Sequence, residues 1–203
     1  MQITIARFLI FLFHPLLMPL YVLLILLYQV SFFSLMIPAI YMALIIALVI
    51  LSTVLFPLFV IYLLYRTKII TAFFRISREE RTYPILCAAI FYYLTYYLFK
   101  EIHFSGIFSY YMLGSTLLAL IALILNFYHK ISLYLISIGG FTGLFLGLSL
   151  NLGTDFSFYI FTGILLSGLL GFARLKMNAH HPAEIYSGFL LGVSIMSVLM
   201  SLL

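Results

Sequence analysis

The stretch Gly171-Phe172-Ala173-Arg174-Leu175-Lys176-Met177-Asn178-Ala179-His180-His181-Pro182-Ala183-Glu184-Ile185-Tyr186-Ser187-Gly188 is a polar island between two apolar runs. It holds two of the five histidines in the chain, two of the ten Lys/Arg residues and one of the five Asp/Glu residues. Proline is tolerated in the first turn of a helix, so a helix is predicted to begin about Pro182. Glu184 then falls in that first turn. Its carboxylate can reach back toward the imidazole of His180, as a capping-box glutamate reaches past a helix start. Arg174 lies six residues before His180, and a short loop would bring its guanidinium over the same spot. A cation, an oriented imidazole and a helix N-terminus together make a phosphate site.

The surroundings of this island are membrane-like. Of the 203 residues, 66% are hydrophobic and 7% are charged, against roughly a quarter charged in soluble domains. Apolar runs of spanning length recur from end to end, which reads as an all-α polytopic membrane protein. Glycine and proline are commoner in membrane helices than in soluble ones, so they do not oppose this reading. The single Cys87 excludes an intramolecular disulfide and a cysteine metal cluster. The first residues, with one basic side chain at Arg7 and no small-residue cleavage site, do not read as a cleavable signal. A net charge of +5 fits loop topology and a phosphate pocket better than nucleic-acid binding.

Seven apolar segments are expected: Phe8–Val30, Met36–Tyr65, Ile85–Phe99, Ile107–Tyr128, Leu133–Leu152, Phe156–Phe172 and Ala183–Leu203. His14, Pro15 and Pro19 should kink the first, and Pro38 and Pro57 the second. No linker separates domains, so residues 1–203 form one membrane domain. The loops alternate in charge. One side receives Arg7, Arg66, Lys68, Arg75, Arg78, Arg81, Lys130, Arg174 and Lys176, and the other receives Lys100 with Glu101 and Asp155. The positive-inside rule puts the basic side, and the polar island with it, on the cytoplasmic face of a cell inner membrane. Gly139, Gly143 and Gly147 step by four, as do Gly163, Ser167 and Gly171. Such faces let helices approach closely in lipid.

The island resembles the third signature motif of the type-2 phosphatidic acid phosphatase (PAP2) superfamily, which reads Ser-Arg, five residues, His, three residues, Asp. Here it stands as Ala173-Arg174, five residues, His180, three residues, Glu184, followed by a terminal apolar segment. Alanine replaces the serine, and glutamate the aspartate. The resemblance implies a PAP2-like helical bundle with its motif-bearing core at residues 75–203. It makes His180 the nucleophile, Glu184 its orienting carboxylate and Arg174 a phosphate ligand. The first motif of the family, Lys, six residues, Arg-Pro, is matched loosely by the run from Arg75 to Pro84. Arg81 takes the place of the arginine there, with Arg78 or Arg75 standing for the lysine. Arg78 and Arg81, three apart, would share a helix face and could clamp a dianion. By itself this run also reads as an ordinary basic loop. The second motif, Pro-Ser-Gly-His, is placed at Ile131-Ser132-Leu133-Tyr134. Ser132 fits an N-cap and a phosphate contact, and Tyr134 occupies the place of the proton-donating histidine. The rival Ile138-Gly139-Gly140-Phe141 keeps a glycine but lies deep in a helix. His129 and Lys130 lie just upstream. Two segments separate each motif from the next, so all three should return to one face.

Taken singly, His180 and His181 read as an interfacial polar loop, and Arg174 and Lys176 as snorkelling anchors. Taken together at this spacing they read as one site. The resemblance implies hydrolysis of a lipid phosphate or polyprenyl diphosphate through a phosphohistidine, with no metal and no other cofactor. The expected partners are membrane lipids and the lipid phosphate substrate, not nucleic acid. A tyrosine hydroxyl has a reference pKa of ~10, so at Tyr134 it would make a poor acid unless tuned. A diphosphate leaving group needs less protonation than an alkoxide, which favours polyprenyl diphosphates. The alternative is an impaired PAP2-like protein that binds or moves a lipid phosphate or supports a partner. His14 and His103 receive no role from the sequence.

Overall fold

The computed structural model describes residues 2–29, 38–70 and 79–203. Within them the chain is helical, with no strand, as lipid demands of a backbone that must satisfy its own polar groups. The helices are α1 (Gln2–Leu12), α2 (Met18–Gln29), α3 (Ala39–Ile50), α4 (Phe56–Arg66), α5 (Thr82–Glu101), α6 (Gly106–Tyr128), α7 (Leu133–Leu152), α8 (Ser157–Lys176) and α9 (Pro182–Ser201). They make seven helical stretches long and apolar enough to cross a membrane. The protein is an all-α polytopic bundle.

The organising element is α7. It is the most deeply buried of the seven stretches, and it packs against α6, α8 and above all α9. The glycine step explains that last contact. A Cβ at Gly143 would sit 2.5 Å from the carbonyl of Val193, and one at Gly147 would sit 2.6 Å from Ser197. Gly192 answers from α9, where a Cβ would collide with the backbone of Ile136. Bare backbone on both helices permits a separation that side chains would forbid, and dispersion contacts replace the hydrophobic drive that lipid cannot supply. The second small-residue row serves two neighbours rather than one. Gly163 meets Thr142 on α7 and Gly171 meets Ile185 on α9, whereas Ser167 returns its hydroxyl to Ile164 on its own helix at 2.7 Å.

Two breaks shape the remainder. The first expected segment is not one helix. α1 begins before Arg7 and ends at Leu12, a 3₁₀ turn follows at Pro15–Leu17, and α2 starts at Met18. Pro15 holds His14 in extended backbone (φ −64°, ψ 137°). The carbonyls freed by the break are met from outside: Tyr21 donates its hydroxyl to Leu12 at 2.8 Å, and Tyr92 of α5 donates to Pro15 at 3.2 Å. The halves then separate, α1 packing on α8 and α2 on α3, α6 and α7. The second break is a π-helical turn at Leu51–Leu55 ahead of Pro57. Proline cannot donate to the ladder, and a widened turn accommodates its ring. There Thr95 of α5 donates to the hydroxyl of Ser52 at 2.9 Å.

Near the site, two boundaries differ from the sequence reading and one agrees with it. α5 starts three residues early, at Thr82, because Pro84 sits comfortably in a first turn. α8 runs four residues past Phe172, to Lys176, so Arg174 stands on helix and not on a loop. α9 begins at Pro182, as its proline predicts.

Candidate functional site

The starts of α5, α7 and α9 and the end of α8 meet at one end of the bundle. Their contacts are direct. Arg81, just before α5, donates from Nη2 to the carbonyl of Ile131 at 3.1 Å. The N–H of Ser132, at the start of α7, donates to the carbonyl of Glu184 in the first turn of α9 at 3.4 Å. Gly188, one turn along α9, permits this approach, since a Cβ there would press on the Ser132 carbonyl at 3.1 Å.

The spacing from Arg174 to His180 is set by a Schellman turn. The N–H of Ala179 donates to the carbonyl of Arg174 at 3.1 Å, and the N–H of Asn178 donates to that of Leu175 at 2.9 Å. Between them Asn178 takes φ +49°, a left-handed conformation that asparagine tolerates. The chain thereby folds back and sets His180 beside the last turn of α8. Nδ1 of His180 lies 2.5 Å from Oε2 of Glu184. The same oxygen accepts the N–H of His181 at 3.3 Å, capping α9. A carboxylate only accepts, so the Nδ1–H of His180 is the donor and the lone pair stands on Nε2. One glutamate thus fixes both the start of a helix and the tautomer of a histidine.

The imidazole is nearly enclosed, with 1% of its side chain exposed. Burial pushes its pKa down to about 4, the guanidiniums of Arg174 and Arg81 push the same way, and the bond to Glu184 opposes them. His180 is therefore neutral at pH 7, with a free nucleophilic nitrogen. Burial and the charge of Arg174 also lower the pKa of Arg81, while Glu184 and Tyr134 oppose the shift; an arginine so placed keeps its charge.

Tyr134 lies under Arg174, whose guanidinium carbon is 4.7 Å from the ring centre. Ser132 precedes the first residue of α7, but its hydroxyl caps no helix N–H. Among the described residues, three buried polar atoms from these elements find no hydrogen-bond partner: the Ser132 hydroxyl, Nε of Arg174 and Nε2 of His180. Native proteins rarely leave such atoms unmet. Two donors and a nucleophilic nitrogen suit a tetrahedral oxyanion.

The structure thus gathers Arg81, Ser132, Tyr134, Arg174, His180 and Glu184. Arg75 and Arg78 lie outside the described residues. Lys130 is close enough to Glu184 to act on it electrostatically, while His129 is exposed. The rival Ile138-Gly139-Gly140-Phe141 lies within α7 and packs against α6 and α9. His103 lies at the other end of α5, in its turn to α6, where Nδ1 meets the Glu101 carbonyl at 3.0 Å.

Of the two histidines that the sequence left without a role, His14 is the one that reaches this cluster. Its ring meets that of Tyr134 edge to face, with centroids 5.6 Å apart and planes at 84°, and Arg174 acts on it electrostatically. The signal in the sequence was the His14-Pro15 pair inside an apolar run. A polar residue beside a helix breaker in lipid marks backbone that something else must satisfy. Beside it opens an apolar cavity of about 380 Å³ between α1, α2, α7 and α8, lined by residues that include Leu12, Phe13, Tyr21, Ile138, Phe141 and Leu166. Comparison with family models, with curated proteins and with solved structures finds no match to this chain.

Proposed function

We propose that the protein is a PAP2-like membrane phosphohydrolase that cleaves a lipid phosphate or polyprenyl diphosphate through a phosphohistidine at His180. The observation that carries this reading is the buried His180–Glu184 pair at 2.5 Å with Nε2 left free. Nε2 attacks phosphorus, and the bond from phosphorus to the leaving oxygen breaks. Glu184 holds the tautomer and balances the charge that develops on the ring. Arg174, Arg81 and the Ser132 hydroxyl meet the equatorial oxygens, whose charge spreads in the transition state. Water then attacks the phosphohistidine, releasing phosphate and restoring the imidazole.

The apolar cavity supports a lipid substrate. Ile138, on its wall, is one helical turn along α7 from Tyr134, so a hydrocarbon chain in the cavity leads to the anion-binding cluster. By the positive-inside rule the cluster faces the cytoplasm.

A second reading, a protein that binds lipid phosphates without turning them over, draws on Tyr134, which stands where an acid histidine is expected and carries Arg174 on its ring. Phosphate release separates the two. Purified protein in mixed micelles should liberate phosphate from phosphatidate, polyprenyl phosphate or polyprenyl diphosphate, equally with and without chelator. His180→Ala should abolish release. Binding of the same lipids with no release from any of them would favour the second reading.

A further inference from the structure

We infer that His14, from the break between α1 and α2, delivers the proton that the leaving alkoxide needs. The inference rests on the phosphohydrolase reading above and extends it to simple phosphomonoesters of lipid alcohols.

The leaving oxygen of a lipid phosphate is, by its chemistry, the atom between the phosphorus and the hydrocarbon. An acid for it must stand where an anion site meets an apolar one. His14 stands there. Leu12 and Phe13, immediately before it, line the apolar cavity. On its other side are the Tyr134 ring, at 5.6 Å between centroids, and the charge of Arg174. Arg174 and His14 both contact the Tyr134 ring, so a phosphate held by that guanidinium is brought toward His14 as well as toward His180. Tyr134 is the only aromatic neighbour this placement needs: it turns the edge-to-face contact and the arginine shelf into one fixed arrangement.

The break that presents His14 is held from three sides. Tyr21 and Tyr92 take the carbonyls of Leu12 and Pro15. The N–H of Leu16 donates to Nδ1 of His14 at 3.3 Å, which orients the ring and places the proton of the neutral form on Nε2. The same bond caps the 3₁₀ turn, which leaves Nε2, the nitrogen that carries the proton, without a part in the kink.

The step balances. The two negative charges of a bound phosphate dianion outweigh the burial of the ring as well as the charge of Arg174. They draw a second proton from solvent onto the His14 ring, which gives up its long bond from Leu16. Nε2 of His180 forms a bond to phosphorus as the phosphorus–oxygen bond breaks with its electron pair on oxygen. His14 protonates that oxygen, and the alcohol leaves. Neutral His14 then takes a proton from the water that attacks the phosphohistidine, and the electron pair of the phosphorus–nitrogen bond returns to His180. The ring is ready for the next cycle.

The test compares two leaving groups in the full-length protein. Phosphatidate releases diacylglycerol as an alkoxide, whereas farnesyl diphosphate releases farnesyl phosphate, which needs little protonation. General acid help is typically worth ~10²–10⁴ in rate. His14→Gln should therefore lower kcat on phosphatidate by about 10²- to 10⁴-fold and on farnesyl diphosphate by less than about 10-fold. His14→Phe keeps an aromatic ring against Tyr134 and should fare no better than His14→Gln on phosphatidate. Equal losses on both substrates, or recovery by phenylalanine, would show a structural role and overturn the inference while leaving the phosphohydrolase reading intact. A wild-type protein inert on both substrates would remove that reading, and this inference with it.

Discussion

The guanidinium of Arg174 rests on the face of Tyr134, 4.7 Å from the ring centre. The tyrosine at the position expected to hold an acid is thus a shelf for the arginine proposed to bind phosphate. Cation–π contacts are worth about 0.5–2 kcal/mol, so Tyr134→Ala should weaken protection by inorganic phosphate roughly 2- to 30-fold. Tyr134→Phe keeps the ring and should stay near wild type. A phenylalanine variant as impaired as the alanine variant would instead assign the work to the hydroxyl. Phosphate-dependent thermal shifts of detergent-purified protein provide the measurement.

The His180 imidazole should titrate far below its ordinary range. Its pKa in the folded protein is about 4, against 6.5 for a free histidine. The folded protein therefore binds fewer protons than the unfolded chain between these values. The contribution of the site to stability is complete above about pH 6.5 and declines as pH falls toward 4. Imidazole resonances of selectively labelled protein, assigned with His180→Gln, should show a midpoint near 4. Arg81→Gln removes one of the cations that lower it and should move the midpoint up. A wild-type midpoint at or above 6.5 would contradict the burial and charge assigned to the site.

The contact between α7 and α9 positions Ser132 and Glu184, and glycine makes it close. Gly143→Ala puts a methyl 2.5 Å from the Val193 carbonyl, so the helices must part. Overpacking of this kind costs about 1–3 kcal/mol. Gly168 on α8 faces open space, and Gly168→Ala should be neutral or stabilising by up to about 1 kcal/mol, the helix-propensity difference. Unfolding in mixed micelles compares the two. Equal behaviour would mean that the glycine face is not what sets the helix separation.

The proposed sidedness rests on charge. Lys130 and Lys176 flank the site end of the bundle, whereas Glu101 and Asp155 flank the opposite end. With Cys87 replaced, single cysteines at positions 130 and 176 should resist an impermeant reagent applied to intact cells, and one at position 155 should react. The reverse pattern would turn the site outward.

Much of this was legible in the residues. Pro182 announced the start of α9, the four-residue spacing put Glu184 within reach of His180, and the glycine step announced a close helix pair. What the sequence hid has physical causes. A helix in lipid lacks the polar face that marks orientation in water, so nothing in Phe8–Val30 told that its halves pack on different neighbours. The reach of α8 to Lys176 was obscured because Arg174 and Lys176 resemble loop residues by composition, while helical geometry tolerates both. The position of His14 against Tyr134 depends on contacts between residues 120 apart in sequence, and no local pattern encodes such a pairing. The Ser132 hydroxyl looked like a cap, yet it is buried without a helix N–H to accept.

The central claim is that Nε2 of His180 takes the phosphoryl group. The most direct measurement is rapid alkaline quenching of the protein with phosphatidate or farnesyl diphosphate labelled at the transferred phosphorus, followed by peptide mapping under conditions that preserve phosphohistidine. The account predicts acid-labile label on the peptide containing His180, present in wild type, absent in His180→Ala and retained longer when hydrolysis by water is slowed. Phosphate release with no label on that peptide, or label that survives in His180→Ala, would contradict it.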